Sequence, residues 1–107
     1  MHETIQVNTT TATKADAERI ATALVERRLA ACVQVGGPVR SCYRWQGKIE
    51  TAEEWLCTAK TTREGYDEVE QAIRELHPYE EPEIIAVPIV AGSPGYLAWL
   101  REQVGEE

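Results

Sequence analysis

Two long stretches flank the dipeptide Gln46-Gly47, and together they leave few folds open. After it, Ile49, Thr51, Glu53, Trp55, Cys57 and Ala59 alternate with Lys48, Glu50, Ala52, Glu54, Leu56, Thr58 and Lys60, the period-two pattern of a strand running as far as Thr61. Before it, Ala30 to Val35 form a nearly continuous apolar run, as in a central strand. Gly36-Gly37-Pro38 then marks a bulge, a bend or a change of direction, with Val39 to Trp45 continuing the strand at a new angle. The hairpin arms could each span ~45 Å at ~3.3 Å per residue, whereas a helix of about 15 residues covers only ~22 Å. The hairpin is therefore expected to overrun the helices that cover it.

The remaining segments supply those helices and two further strands. Thr4 to Thr11 is β-branched, with Ile5 and Val7 alternating against Gln6 and Asn8, which predicts a strand with one buried face. Thr13 precedes an amphipathic stretch from about Lys14 to Arg28, with Asp16 three residues after the cap. Thr61 and Glu64 match a capping box, and the stripe Tyr66, Val69, Ile73 and Leu76 predicts a second helix from about Thr62 to Leu76, stopped by Pro78. Glu83 to Val90 reads as a strand whose Pro88 argues for an edge position or an irregularity. Ser93-Pro94 opens a short third helix carrying Tyr96, Leu97, Leu100 and Val104. The order is β-α-β-β-α-β with a C-terminal helix: one α+β domain over residues 1–107, a ferredoxin-like antiparallel sheet with a long central hairpin.

Charge narrows the partners. A net charge of −7 without a Lys/Arg run repels phosphate backbones, which excludes nucleic acid. No window approaches the ~20 apolar residues of a membrane span and Met1 to Thr13 is too polar for a signal peptide, so a cytoplasmic protein without membrane contact is expected. Cys32, Cys42 and Cys57 form an odd set without C-x-x-C spacing, read as reduced thiols within strands. The overhanging aromatics Tyr43, Trp45 and Trp55 are expected to be covered by self-association, because a soluble monomer rarely leaves such area in water.

Separated motifs in matching order then resemble the CutA family, the divalent-cation tolerance proteins. They are Arg28-Leu29-Ala30-Ala31-Cys32-Val33, Ser41-Cys42-Tyr43-Arg44-Trp45-Gln46-Gly47-Lys48-Ile49, Lys60-Thr61-Thr62, His77-Pro78-Tyr79-Glu80-Glu81-Pro82-Glu83-Ile84, and Pro88-Ile89 ahead of Gly92 and Tyr96-Leu97-Ala98-Trp99-Leu100. The resemblance implies a ferredoxin-like subunit in a tight homotrimer, linked to copper and other divalent cations. Its organisation is also similar to that of the PII signalling proteins, which bind small effectors between subunits; this is an analogy of fold.

The strongest polar cluster is His77, Tyr79, Glu80, Glu81 and Glu83, an imidazole among carboxylates of the kind that suits a borderline divalent ion. The candidate metal set is His77, Glu80, Glu83 and Cys32, holding copper or another divalent ion that is not obligatory. The same residues could equally be a rigid connector, with prolines at 78 and 82 and His77 capping the preceding helix. A PII-like regulator or scaffold would instead bind a small molecule or a protein in an intersubunit cleft of Lys60, Tyr79, Glu83, Tyr96 and Trp99. No nucleophile beside a base, no carboxylate pair with reason to differ in pKa, and no phosphate-cradling loop is evident, so no enzymatic role is expected. His2 is assigned no site.

Overall fold

The computed structural model describes residues 3–105, so His2 lies outside the described residues. Strands β1 (Thr4–Thr11), β2 (Cys32–Trp45), β3 (Lys48–Thr62) and β4 (Ile85–Pro88) form a sheet of order β2-β3-β1-β4 in which every neighbouring pair is antiparallel. Helices α1 (Lys14–Glu26) and α2 (Tyr66–Leu76) cover one face, and α3 (Pro94–Gln103) follows β4. This is the ferredoxin-like α+β arrangement read from the element order.

Period-two alternation decides which face is covered. Ile5, Val7, Thr9 and Thr11 of β1 are buried and stand opposite Thr61, Ala59, Cys57 and Trp55 of β3. Onto this face pack Ala17, Ile20 and Leu24 of α1 with Val69, Ala72 and Ile73 of α2. The even-numbered residues of β1 and β3 point the other way, onto a face that the two helices leave open.

The hairpin overruns the helices as expected. Cross-strand pairing continues beyond the helix-covered region from Val39 opposite Glu54 to Trp45 opposite Lys48, and the molecule measures 44 × 25 × 21 Å. Its turn is two residues long with both φ positive, Gln46 at 50° and Gly47 at 79°, the pattern of a type I′ turn. The Gly36-Gly37-Pro38 interruption is a bulge: the register shifts between Gly36 and Val39. Gly37 has φ of 141°, and a β-carbon there would lie 3.1 Å from both the Glu54 carbonyl oxygen and the Trp55 ring, so only glycine fits.

Three boundaries differ from expectation. Helix α1 ends at Glu26, because Arg28 takes the left-handed conformation (φ 58°) and closes a Schellman motif in which Leu29 N–H donates to Leu24 O at 2.9 Å and Arg28 N–H to Val25 O at 3.0 Å. The Thr61/Glu64 capping box does not form: Thr61 is a buried strand residue whose hydroxyl donates to Leu29 O at 2.7 Å, and a 3₁₀ turn over Arg63–Gly65 leads into α2. Strand β4 keeps only Ile85–Pro88 of the expected Glu83–Val90; it is an edge strand and tolerates Pro88, and Ile89 N–H beyond it still donates to Thr4 O at 2.9 Å.

Candidate functional site

The connector from α2 to β4 is built on His77. Its main-chain N–H donates to Ile73 O at 2.8 Å and closes the helix, while its ring turns to β1 instead of capping. Nε2 lies 2.7 Å from Thr10 O, and a carbonyl only accepts, so Nε2 carries the proton. Nδ1 is then the acceptor, and it receives the Tyr79 N–H at 3.1 Å. The residue is 7% exposed. A neutral imidazole with both nitrogens engaged has no lone pair left for a metal. The alternative read from the prolines, a structural connector residue, is the one this geometry describes.

The latch places Tyr79. Its ring lies against His77 with centroids 4.7 Å apart, and its hydroxyl donates to Glu54 Oε2 at 3.3 Å. Burial, and then the neighbouring Glu54 carboxylate, push the Tyr79 phenol up from its ordinary value. Between the hairpin and this connector runs a groove of about 800 Å³. Tyr43, Trp45 and Tyr79 give it aromatic walls, Glu54 enters from β3, and Glu80, Glu81 and Glu83 from the connector. Arg74 of α2 reaches Glu81 at 3.5 Å and Glu70 at 3.0 Å, drawing Glu81 back toward the helix.

Cys32 belongs elsewhere. It stands opposite Lys60, which in turn stands opposite Gln6, four residues along β1 from Thr10, or ~13 Å. Cys32 thus does not join His77, Glu80 and Glu83 within one chain. Among the described residues no three His, Cys, Asp or Glu side chains converge to hold a metal ion. The proposed cleft set divides in the same way. Lys60, bonded to Gln34 Oε1, shares its sheet end with Cys32; Tyr96 pairs with Trp99 at 5.6 Å, and its phenol is raised by burial and then by Cys32. Tyr79 and Glu83 lie in the groove.

The aromatic trio of the hairpin also separates. Tyr43 and Trp45 are exposed, Trp45 at 61%, whereas Trp55 packs against the core with Lys14 Nζ 5.8 Å above its ring. Trp55 sits on the helix-covered parity of β3, and this removes it from an exposed interface. Glu54, named in the sequence only as part of the alternation of β3, is the groove residue that sequence reasoning missed. Its partner Tyr79 is 25 positions away, and no local pattern links the two.

The chain thus combines a split β-α-β sheet with one open face, an overhanging hairpin and a groove under a His-Pro-Tyr connector. The family model for CutA1 divalent ion tolerance proteins matches residues 5–103, and the chain belongs to the CutA family. It is 47% identical over 89 residues to the divalent-cation tolerance protein CutA of Thermus thermophilus, covering 83% of this chain and 86% of that protein. The human protein CutA is 43% identical over 86 residues, 80% of this chain, and the chain spans about half of it (48%). The solved Thermus thermophilus Cut A1 structure superposes with a TM-score of 0.91 at 44% identity, covering 98% of this chain and 100% of that one. None of the described helices is long and apolar enough to cross a membrane.

Proposed function

We propose that this chain is a homotrimeric, cytoplasmic protein of the divalent-cation response, which takes up copper or another divalent ion weakly at its subunit boundaries and needs none to fold. The observation that carries this reading is the uncovered side of the sheet. Ile85 and Val87 of β4, Leu56 of β3, and Tyr43 and Trp45 of the hairpin are all exposed there, an apolar strip that a second copy would bury. The cation part is supported by the family and by the carboxylates Glu80 and Glu83. The described residues of one chain supply too few converging ligands, so a neighbouring copy would have to complete the set, Cys32 being the soft ligand available to it. No catalytic role belongs to this reading.

A PII-like alternative, with a small molecule or protein held between subunits, is favoured by one observation: the exposed Tyr96–Trp99 pair, whose tyrosine lies near the Cys32–Lys60 row. Light scattering across a dilution series tests assembly. Calorimetry of the reduced protein with copper and zinc, against Glu80→Gln and Glu83→Gln, tests cation uptake. A stable monomer counts against the trimer; no uptake, or uptake unchanged in both variants, removes the cation site.

A further inference from the structure

We propose that the pocket at the pole away from the hairpin is a binding site for a free α-amino acid with an aliphatic side chain, held as its zwitterion. This pocket of about 660 Å³ forms where the ends of α1, β3 and α3 meet the start of α2. None of its lining residues belongs to the apolar strip that a second copy would cover, so a ligand here is compatible with assembly through the open face. Two of its arginines are already committed. Arg28 donates to Glu102 O and Gly105 O and ties the wall together, and Arg27 pairs with Glu75 at 3.7 Å. Arg101 and Glu68 also line the pocket, and among the described residues neither makes a hydrogen bond or an ion pair, with each other or with any other group.

Thr62 is the third group of this kind. It is 8% exposed, its side chain caps no amide of the 3₁₀ turn, and its hydroxyl has no partner among the described residues. A hydroxyl on so buried a residue calls for a partner, and the pocket is where it can find one. Gly65 keeps the approach open: a β-carbon there would stand 3.6 Å from both Thr61 Oγ1 and Thr62 Oγ1. Thr61 Oγ1 is already used on Leu29 O, so the Thr62 hydroxyl is the one left for a ligand.

One guanidinium, one carboxylate and one hydroxyl without partners select the charges of what binds. A plain anion would pair with Arg101 but meet Glu68, and a plain cation would pair with Glu68 but meet Arg101. A zwitterion answers both, its carboxylate taking Arg101 and the Thr62 O–H and its ammonium taking Glu68. Leu29 and Val104, half-buried in the same lining, give an aliphatic side chain its apolar wall, and the volume is that of a small-molecule site.

The test is calorimetry of the intact, reduced protein in its native assembly, with L-leucine, isocaproate and isoamylamine as probes; the last two keep leucine's aliphatic chain and one of its charges each. The expected result is saturable binding of leucine, one per protomer, with both analogues at least about tenfold weaker. Arg101 and Glu68 are exposed, so Arg101→Gln and Glu68→Gln should leave the core alone while each weakens leucine by about tenfold. Leucine should then lose its advantage over isoamylamine in the first variant and over isocaproate in the second. Gly65→Ala should fold, because Gly65 has φ of −89° and its new methyl would stand at ordinary contact distance, yet it should weaken leucine by covering Thr62 Oγ1. Denaturation and light scattering on each variant keep a loss of fold or assembly apart from a loss of the site. Either analogue binding as tightly as leucine overturns the proposal, as does binding unchanged in Arg101→Gln and Glu68→Gln. Absence of saturable leucine uptake overturns it too.

Discussion

His77 Nε2 stands 2.7 Å from the Thr10 carbonyl oxygen, so the end of the second helix is fastened to the first strand through a ring whose other nitrogen holds the Tyr79 N–H. Replacing His77 by Ala strands both groups in a nearly buried setting. A loss of about 1–3 kcal/mol in chemical denaturation is expected, with His77→Gln recovering part of it by donating to Thr10. Copper or zinc uptake should not change in His77→Ala, because the ring has no lone pair to offer; a loss of uptake with the fold intact would make the imidazole a ligand.

The Tyr79 phenol should titrate above its ordinary value of 10.0, because burial and the Glu54 charge both favour its neutral form. The sign for stability follows. This contribution is fully present below the unfolded value and is lost as pH rises through the folded one. Ultraviolet titration of the wild type and Glu54→Gln should show the Tyr79 transition moving down in the variant; an unmoved transition would remove Glu54 as a cause.

Burial pushes the Cys57 thiol up from 9.0 to about 11, whereas Cys42 is exposed on the hairpin. Alkylation of the native protein at pH 8, followed by mass spectrometry, should label Cys42 and spare Cys57, since the thiolate is the reactive form. Any stability that rests on the neutral Cys57 thiol is complete below pH 9 and falls as pH rises through 11. Rapid labelling of Cys57 in folded protein would contradict the burial described above.

The two hairpin tryptophans should behave oppositely. Trp55→Ala removes a ring packed on the core and should cost about 2 kcal/mol of fold stability, less than a fully buried aromatic would. Trp45→Ala should change monomer stability by less than about 0.5 kcal/mol but raise the concentration at which copies dissociate. Denaturation and light scattering on both variants separate the two roles.

These residues also mark how far the sequence could be read. Alternation and helical spacing are local, so the strands, the helices, the hairpin overhang and the edge position of the Pro88 strand were all legible. Parity along the third strand already held the answer for Trp55, which lies in phase with Cys57 and Ala59. It was missed because the aromatics of the hairpin were grouped by proximity in the chain. The His77 ring contacts were not legible, because Thr10 lies 67 positions away and nothing local shows where an imidazole turns. The end of the first helix was misjudged for another reason. Arginine rarely takes the left-handed cap conformation, and Arg28 does so with its guanidinium donating to Glu102 O and Gly105 O, both at 3.0 Å.

That last contact gives the subunit two poles. Gly105 N–H returns a bond to Arg28 O at 3.0 Å, so the chain leaves α3 beside the end of α1, at the Thr4 end of the first strand. The hairpin extends beyond Thr11, at the other end. A fluorescent domain or affinity handle appended after Gly105 would therefore ride on the pole away from the hairpin. Energy transfer between such labels would test whether copies assemble, with the label kept clear of the hairpin.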